Sequence, residues 1–208
     1  VEVYRLNNNY RLKEKYALTP DQEKVYKQVD LDKFQTYLLY GVTGSGKTEV
    51  YLQVIEAVLK KGQAVLVLVP EIALTPQTFN RFYNRFNVPI SSMHSQLSDR
   101  ERLDAYIDMQ QANSAILIGT RTALFTPIKN LGLIILDEEH DNSFRQTDGF
   151  RYHAKILAII RAKFCNCPII LGSATPSLET VVNYQKENYQ RLDLTIRAGE
   201  AQKPEIKL

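Results

Sequence analysis

Short, almost unbroken runs of Val, Ile and Leu alternate along this chain with longer stretches where apolar residues recur every three or four positions. The runs predict strands at residues 36–40, 64–69, 89–93, 115–118, 131–136 and 169–171. The stretches predict helices at residues 48–60, 75–85, 98–110, 153–163 and 177–186. Punctuation agrees: Gly62 ends the first helix, Pro70 stops the second strand, Ser98 caps a helix and Gly119 closes a strand. Strands with no polar face, separated by helices, imply an α/β fold: a mostly parallel sheet with helices on both faces. No repeat or low-complexity segment interrupts it. Residues 1–16 are polar and Tyr-rich and read as a linker or the end of a preceding domain. Residues 17–194 form the domain, and residues 195–208 begin a following connection. A chain that starts at Val1 is expected to be processed or cut from something longer.

In such a sheet, ligands gather at the C-terminal ends of the strands. The first strand runs into Gly41-Val42-Thr43-Gly44-Ser45-Gly46-Lys47-Thr48, which fits the phosphate-loop pattern G-x-x-x-x-G-K-[ST] at every fixed position. Glycines let backbone N–H groups turn toward phosphate oxygens, and a helix N-terminus adds its positive dipole end. Gly41, Thr43, Gly44, Ser45, Gly46, Lys47 and Thr48 are therefore candidate ATP-binding residues. Lys47 suits the β- and γ-phosphates, and the Thr48 hydroxyl suits Mg²⁺.

The most apolar strand ends in Asp137-Glu138-Glu139-His140. Asp137 can hold the Mg²⁺ through its water shell, and Glu138 can orient and deprotonate an attacking water. Alone this would read as a solvated acidic turn; beside a phosphate loop it reads as the catalytic partner of Lys47. Ser173 and Thr175, in Gly172-Ser173-Ala174-Thr175-Pro176, can sense the nucleotide through the acidic motif. An ordinary strand-to-helix turn capped by Ser177 fits that stretch equally well.

Composition narrows the partners only a little. The 208 residues are 44% hydrophobic and 24% charged, and the net charge of +3 permits nucleic-acid binding without arguing for it. No apolar run reaches transmembrane length and no signal peptide is evident, so no membrane role is expected. Cys165 and Cys167 stand one residue apart, and His94, His140 and His153 are scattered. That spacing predicts reduced thiols, a cytoplasmic location and no zinc site here.

The order G-x-x-x-x-G-K-T, D-E-E-H, S-A-T resembles the superfamily 2 helicases. More closely, residues 18–194 resemble the first RecA-like motor lobe of the primosomal replication-restart DNA helicases. Leu18-Thr19-Pro20-Asp21-Gln22 is similar to their Q motif, which places Gln22 on the adenine edge. Val69-Pro70-Glu71-Ile72-Ala73-Leu74-Thr75 resembles motif Ia, and Gly119-Thr120-Arg121-Thr122-Ala123 resembles motif Ib. The resemblance assigns Pro70, Thr75, Thr120 and Arg121 to the DNA backbone. His94-Ser95 with Leu97-Ser98 is similar as well. Residues 141–154 resemble the aromatic-rich loop shared by replication-restart and RecQ-type helicases, which couples DNA contact to hydrolysis. Phe144, Phe150 and Tyr152, interleaved with Arg145 and Arg151, suit base stacking and phosphate contact, although Tyr152 also suits a core position. The chain departs from the pattern at Lys155-Ile156, where an Arg-Asp pair is expected, which puts the salt bridges at that helix start in question.

The resemblance implies an ATP- and Mg²⁺-dependent enzyme working on single-stranded and forked DNA. It implies a second lobe, with an arginine finger and zinc-binding cysteines, and as partners primosome proteins and single-stranded DNA-binding protein in a bacterial cytoplasm. An isolated first lobe is expected to bind nucleotide weakly and hydrolyse little. An RNA helicase lobe, a double-strand DNA translocase and an idle nucleic-acid-binding module remain the alternatives.

Overall fold

The computed structural model describes residues 17–195. Its core is a sheet of seven parallel strands: β1 (Thr36–Gly41), β2 (Ala64–Leu68), β3 (Ile90–Met93), β4 (Ile116–Gly119), β5 (Leu131–Leu136), β8 (Ile169–Ser173) and β9 (Gln190–Leu194). They lie in the order β3-β4-β2-β5-β8-β1-β9. Two further strands, β6 (Arg145–Gln146) and β7 (Tyr152–His153), pair as a small antiparallel hairpin.

The central strands are buried from both sides, which is why they read as continuous apolar runs. Successive side chains still point to opposite faces. Val65, Val67, Leu133 and Ile135 join one core, built with α2 (Lys47–Lys60) and with Phe82 and Phe86 at the end of α3 (Pro76–Arg85). Leu66, Leu68, Ile134 and Leu136 join the other, built with α4 (Asp99–Gln111) and α5 (Ala154–Phe164). Helix α5 lays Ala154, Ala158 and Ala162 on the sheet, one per turn.

Every predicted strand and helix is present within a residue or two. Helix α1 (Pro20–Gln28), strand β9 and the two strands of the β6–β7 hairpin went unread. Helix α1 is short and largely polar, and is held by a capping box in which Thr19 and Gln22 bond each other's backbone. Strand β9 is an edge strand with only Leu192 and Leu194 buried, so it lacks the apolar run of its neighbours. The β6–β7 hairpin sits in the region read as an exposed loop, and α6 (Leu178–Gln185) follows β8 as expected, capped by Ser177.

Candidate ATP and nucleic-acid site

The loop between β1 and α2 has the shape of an anion cradle. Gly44 and Gly46 both stand at φ +81°, a conformation that side chains rarely adopt. Gly46 is the N-cap of α2 and supplies no side-chain cap, so the first turn's N–H groups face the loop. Thr43 and Gly44 are exposed at the tip, while Lys47 and Thr48 are half-buried beneath it. The buried Ser45 hydroxyl has no hydrogen-bond partner among the described residues. Lys47 Nζ donates to the Gly41 carbonyl at 2.9 Å, poised inside the loop. A lysine ammonium held inside the loop, a buried hydroxyl and the N–H groups of a helix start fit a polyphosphate.

Gln22 lies against the phosphate loop. It is almost wholly buried. Its amide nitrogen donates to the Ser45 carbonyl at 3.1 Å, and its amide oxygen accepts from Thr19 N at 3.0 Å. One N–H and one lone pair of the amide are engaged in this way, so Gln22 braces the phosphate loop while its second N–H and second lone pair lie outside these two bonds.

The acidic motif leaves β5 two strands away, with β8 between it and β1. Asp137 N donates to the Leu68 carbonyl, and Glu139 N to the Gly172 carbonyl, so the turn is pinned to the strands on either side. Glu138 between them sits at φ +49°. A non-glycine residue in that region is strained, and strain of this kind collects at functional turns. Burial pushes the Asp137 carboxyl above the usual range, opposed by the Tyr51 hydroxyl and the Lys47 charge. Burial, and then the neighbouring Asp137 charge, raise Glu138 as well. A carboxylate shifted that way is a stronger base.

Glu139 and His140 extend the motif in ways the sequence did not disclose. His140 Nδ1 lies 2.8 Å from the Ser173 hydroxyl and 3.7 Å from Glu138 Oε2, and its Nε2 lies 3.3 Å from Thr175 Oγ1. Ser173 Oγ in turn accepts from Thr175 N. The imidazole thus joins the proposed base to the turn after β8. Glu139 is buried and accepts from Lys155 Nζ at 2.9 Å, Ser177 N at 2.7 Å and Thr180 Oγ1 at 2.8 Å. The departure at Lys155 therefore keeps an ion pair at the start of α5. The sequence carries no signal for this pair, because the burial of Glu139 that demands a cation is set by the fold, and Arg145 and Arg151 stand nearer along the chain.

The residues expected to contact nucleic acid separate into two groups. Phe150 is 77% exposed at the tip of the β6–β7 hairpin, with Arg145 and Arg151 exposed beside it. Tyr152 is half-buried, 5.9 Å from the Phe150 ring and 5.1 Å from the Phe125 ring, edge-on. Thr75 is exposed as the N-cap of α3, and Arg121 is half-buried with one N–H donated to the Ser143 carbonyl. Phe144, by contrast, is fully buried in the core under α5. That corrects its assignment to base stacking: it lies on a 3-10 turn (Asn142–Phe144) whose apolar side faces the sheet. Pro70 and Thr120 are buried too. Their side chains shape the turns after β2 and β4, and present nothing to DNA. Ser173 is equally buried, and its contact is with His140.

A model of the DEAD/DEAH box helicase family matches residues 19–184. The chain belongs to that family. This DEAD/DEAH box helicase chain is 52% identical over 198 residues to replication restart protein PriA of Haemophilus influenzae, covering 94% of the chain and 27% of that protein. It is 45% identical over 214 residues to PriA of Bacillus subtilis, again covering 27% of it. The chain thus spans about a quarter of the length of these curated relatives. Among solved structures it is similar to RecG bound to a three-way DNA junction, with TM-score 0.66 and 22% identity over 90% of this chain and 25% of that one. The Pyrococcus furiosus Hef helicase domain superposes with TM-score 0.58 at 22% identity, covering 84% of this chain and 37% of that one. These two likenesses speak to the RecA-like fold of the DEAD/DEAH helicase lobe.

Proposed function

We propose that this chain is the first motor lobe of an ATP-dependent DNA helicase that works at forked DNA in replication restart. One observation carries the reading. The phosphate cradle, Asp137 and Glu138 converge at the C-terminal edge of one sheet, and the chain runs from Glu138 directly into the exposed Phe150 hairpin. The similarity to replication restart proteins supports the biological setting.

The loop residues Gly41, Thr43, Gly44, Ser45, Gly46, Lys47 and Thr48 bind the triphosphate of ATP. Lys47 leaves the Gly41 carbonyl for the β- and γ-phosphates. Thr48 and Asp137 would hold Mg²⁺, which supplies neutralising charge to the phosphates. Glu138 orients water and takes its proton, at an oxygen whose basicity burial has raised. His140, Ser173 and Thr175 connect that base to the turn after β8. Thr75, Arg121, Arg145, Phe150, Arg151 and Tyr152 face single-stranded DNA, with Phe150 stacking on a base. Closure against a second lobe bearing an arginine finger completes the catalytic site, and its reopening moves the DNA. By resemblance, that lobe also carries the zinc. Primosome proteins and single-stranded DNA-binding protein are the proposed partners, in a bacterial cytoplasm.

The test is steady-state ATPase of the longer parent chain, alone, with single-stranded or forked DNA, and with RNA. Strong stimulation by DNA and not RNA supports the reading. Stimulation by RNA, or by neither, overturns it in favour of an RNA motor or an idle binding module.

A further inference from the structure

Tyr51 is a buried residue of α2 that no part of the proposed catalytic scheme uses, and its hydroxyl lies 2.9 Å from Asp137 Oδ1. Buried tyrosine hydroxyls need a partner. This one has found the carboxylate that would hold the metal, across 86 residues of sequence. The contact passes over β8, the strand between β1 and β5. It is possible only because position 172 is glycine. A Cβ there would stand 1.6 Å from Tyr51 Oη and 2.9 Å from Asp137 Oδ1. Glycine weakens a strand interior, and often marks close approach of another group. Here the approaching group is the Tyr51 hydroxyl.

The position of Tyr51 on its helix gives the contact its meaning. Thr48 and Tyr51 stand at i and i+3 on α2, one above the other on a single helix face. One helix therefore carries both a proposed Mg²⁺ ligand, Thr48, and the group that grips the other, Asp137. The tyrosine is held rigidly: it is 3% exposed and packed in the core beneath the phosphate loop. Its hydroxyl donates to Oδ1, which leaves Oδ2 outside this bond.

We propose that Tyr51 is a positioning residue, a strut from the phosphate-loop helix that passes the Gly172 gap and fixes the separation and orientation of Asp137 relative to Thr48 for Mg²⁺. The proposal rests on the assignment of Thr48 and Asp137 as the metal-holding pair. Tyr51 touches neither nucleotide nor metal; it acts through Asp137. Partners that orient metal ligands typically contribute 10–100-fold in metal affinity or activity.

The experiment is a Mg²⁺ titration of the full-length parent enzyme, read both by fluorescent-nucleotide binding and by ATPase rate, for wild type, Tyr51→Phe, Asp137→Asn and the double variant. Tyr51→Phe keeps the ring that fills the core and removes only the donor. The expected result is a roughly ten-fold or greater rise in the Mg²⁺ needed for half-maximal nucleotide binding. Metal-free nucleotide affinity and the thermal midpoint should stay at wild-type values. Tyr51→Phe should add nothing further in the Asp137→Asn background. An unchanged Mg²⁺ requirement in Tyr51→Phe, alongside a changed one in Asp137→Asn, overturns the strut and leaves the functional reading standing. A Mg²⁺ requirement indifferent to Asp137→Asn overturns the metal assignment and the strut with it. Should Tyr51→Phe lower the thermal midpoint, a Mg²⁺ effect that persists in the Asp137→Asn background marks Tyr51 as a packing residue and also overturns the proposal.

Discussion

Replacing Lys155 with Met should destabilise the domain far more than the loss of one ion pair at a surface would. Lys155 Nζ lies 2.9 Å from Glu139 Oε2, with side-chain exposures of 5% and 0%. It also donates to Ser177 Oγ at 2.9 Å and Thr180 Oγ1 at 3.1 Å. Methionine fills most of the same volume, so packing changes little. Glu139, however, keeps its charge in the interior and retains only neutral donors, Ser177 N among them. Breaking a buried pair by removing one partner costs about 3–5 kcal/mol. In a domain of this size each kcal/mol lowers the thermal midpoint by roughly 2–4 °C, so the expected drop is roughly 6–20 °C.

The assay is thermal unfolding of the 208-residue chain, wild type and variant, in metal-free buffer at several pH values. The sign of the pH effect follows from Glu139. Burial pushes its carboxyl up, but the hydrogen bonds from Lys155, Ser177 and Thr180 and the Lys155 charge together outweigh burial and hold it below its ordinary value of 4.5. Its charge therefore stabilises the wild-type fold above about pH 4.5. That contribution is lost as pH falls through the lowered folded value. In Lys155→Met the carboxyl loses its cation, burial prevails, and protonation relieves the buried charge. The gap between the two proteins should be widest at neutral pH and narrow toward acid. A drop of only a degree or two at neutral pH would refute the reasoning, because it would mean that the desolvation cost of the pair cancels its attraction.

The other predictions concern separate parts of the molecule. In the longer parent chain, Lys47→Ala should lose nucleotide binding or turnover, while Glu138→Gln should keep binding and lose about 10²–10⁴-fold in hydrolysis; normal turnover in Glu138→Gln would remove it as the base. Phe150→Ala should leave the thermal midpoint alone and weaken DNA binding by about 1–3 kcal/mol, with loss of DNA stimulation. Phe144→Ala should instead cost about 3–5 kcal/mol of stability, and DNA titrations with thermal scans of both variants would expose any exchange of roles. Gly119→Ala should unfold the β3–β4 edge, since its Cβ would meet the Met93 carbonyl oxygen at 2.2 Å, against backbone that cannot yield; a wild-type melting curve would contradict that geometry.

Much of this protein was decided by local pattern. A buried parallel strand must be apolar along its whole length, so residues 64–68 and 131–136 declare themselves. The phosphate loop is legible because its chemistry is a matter of spacing along one turn, from Gly41 to Thr48. The same holds for Asp137 and Glu138 at the end of a strand. Resemblance could name further positions but not their surroundings. Phe144 and Phe150 look alike in sequence, yet one is in the core and the other at a hairpin tip, because the 3-10 turn at Asn142–Phe144 packs its ring into the core while the β6–β7 pairing carries Phe150 outward. Gln22 carries no sign of which way its amide points; the capping box and the Ser45 carbonyl settle that. Strand β9 is a strand because β1 offers it an edge, not because Gln190–Leu194 has a strong pattern of its own. Tyr51, Gly172 and Asp137 meet from three elements, as do Glu139, Lys155 and Thr180. Spacing along the chain sets the groups that can act, whereas distances between groups far apart in sequence exist only once the sheet order and the packing of helices upon it are in place.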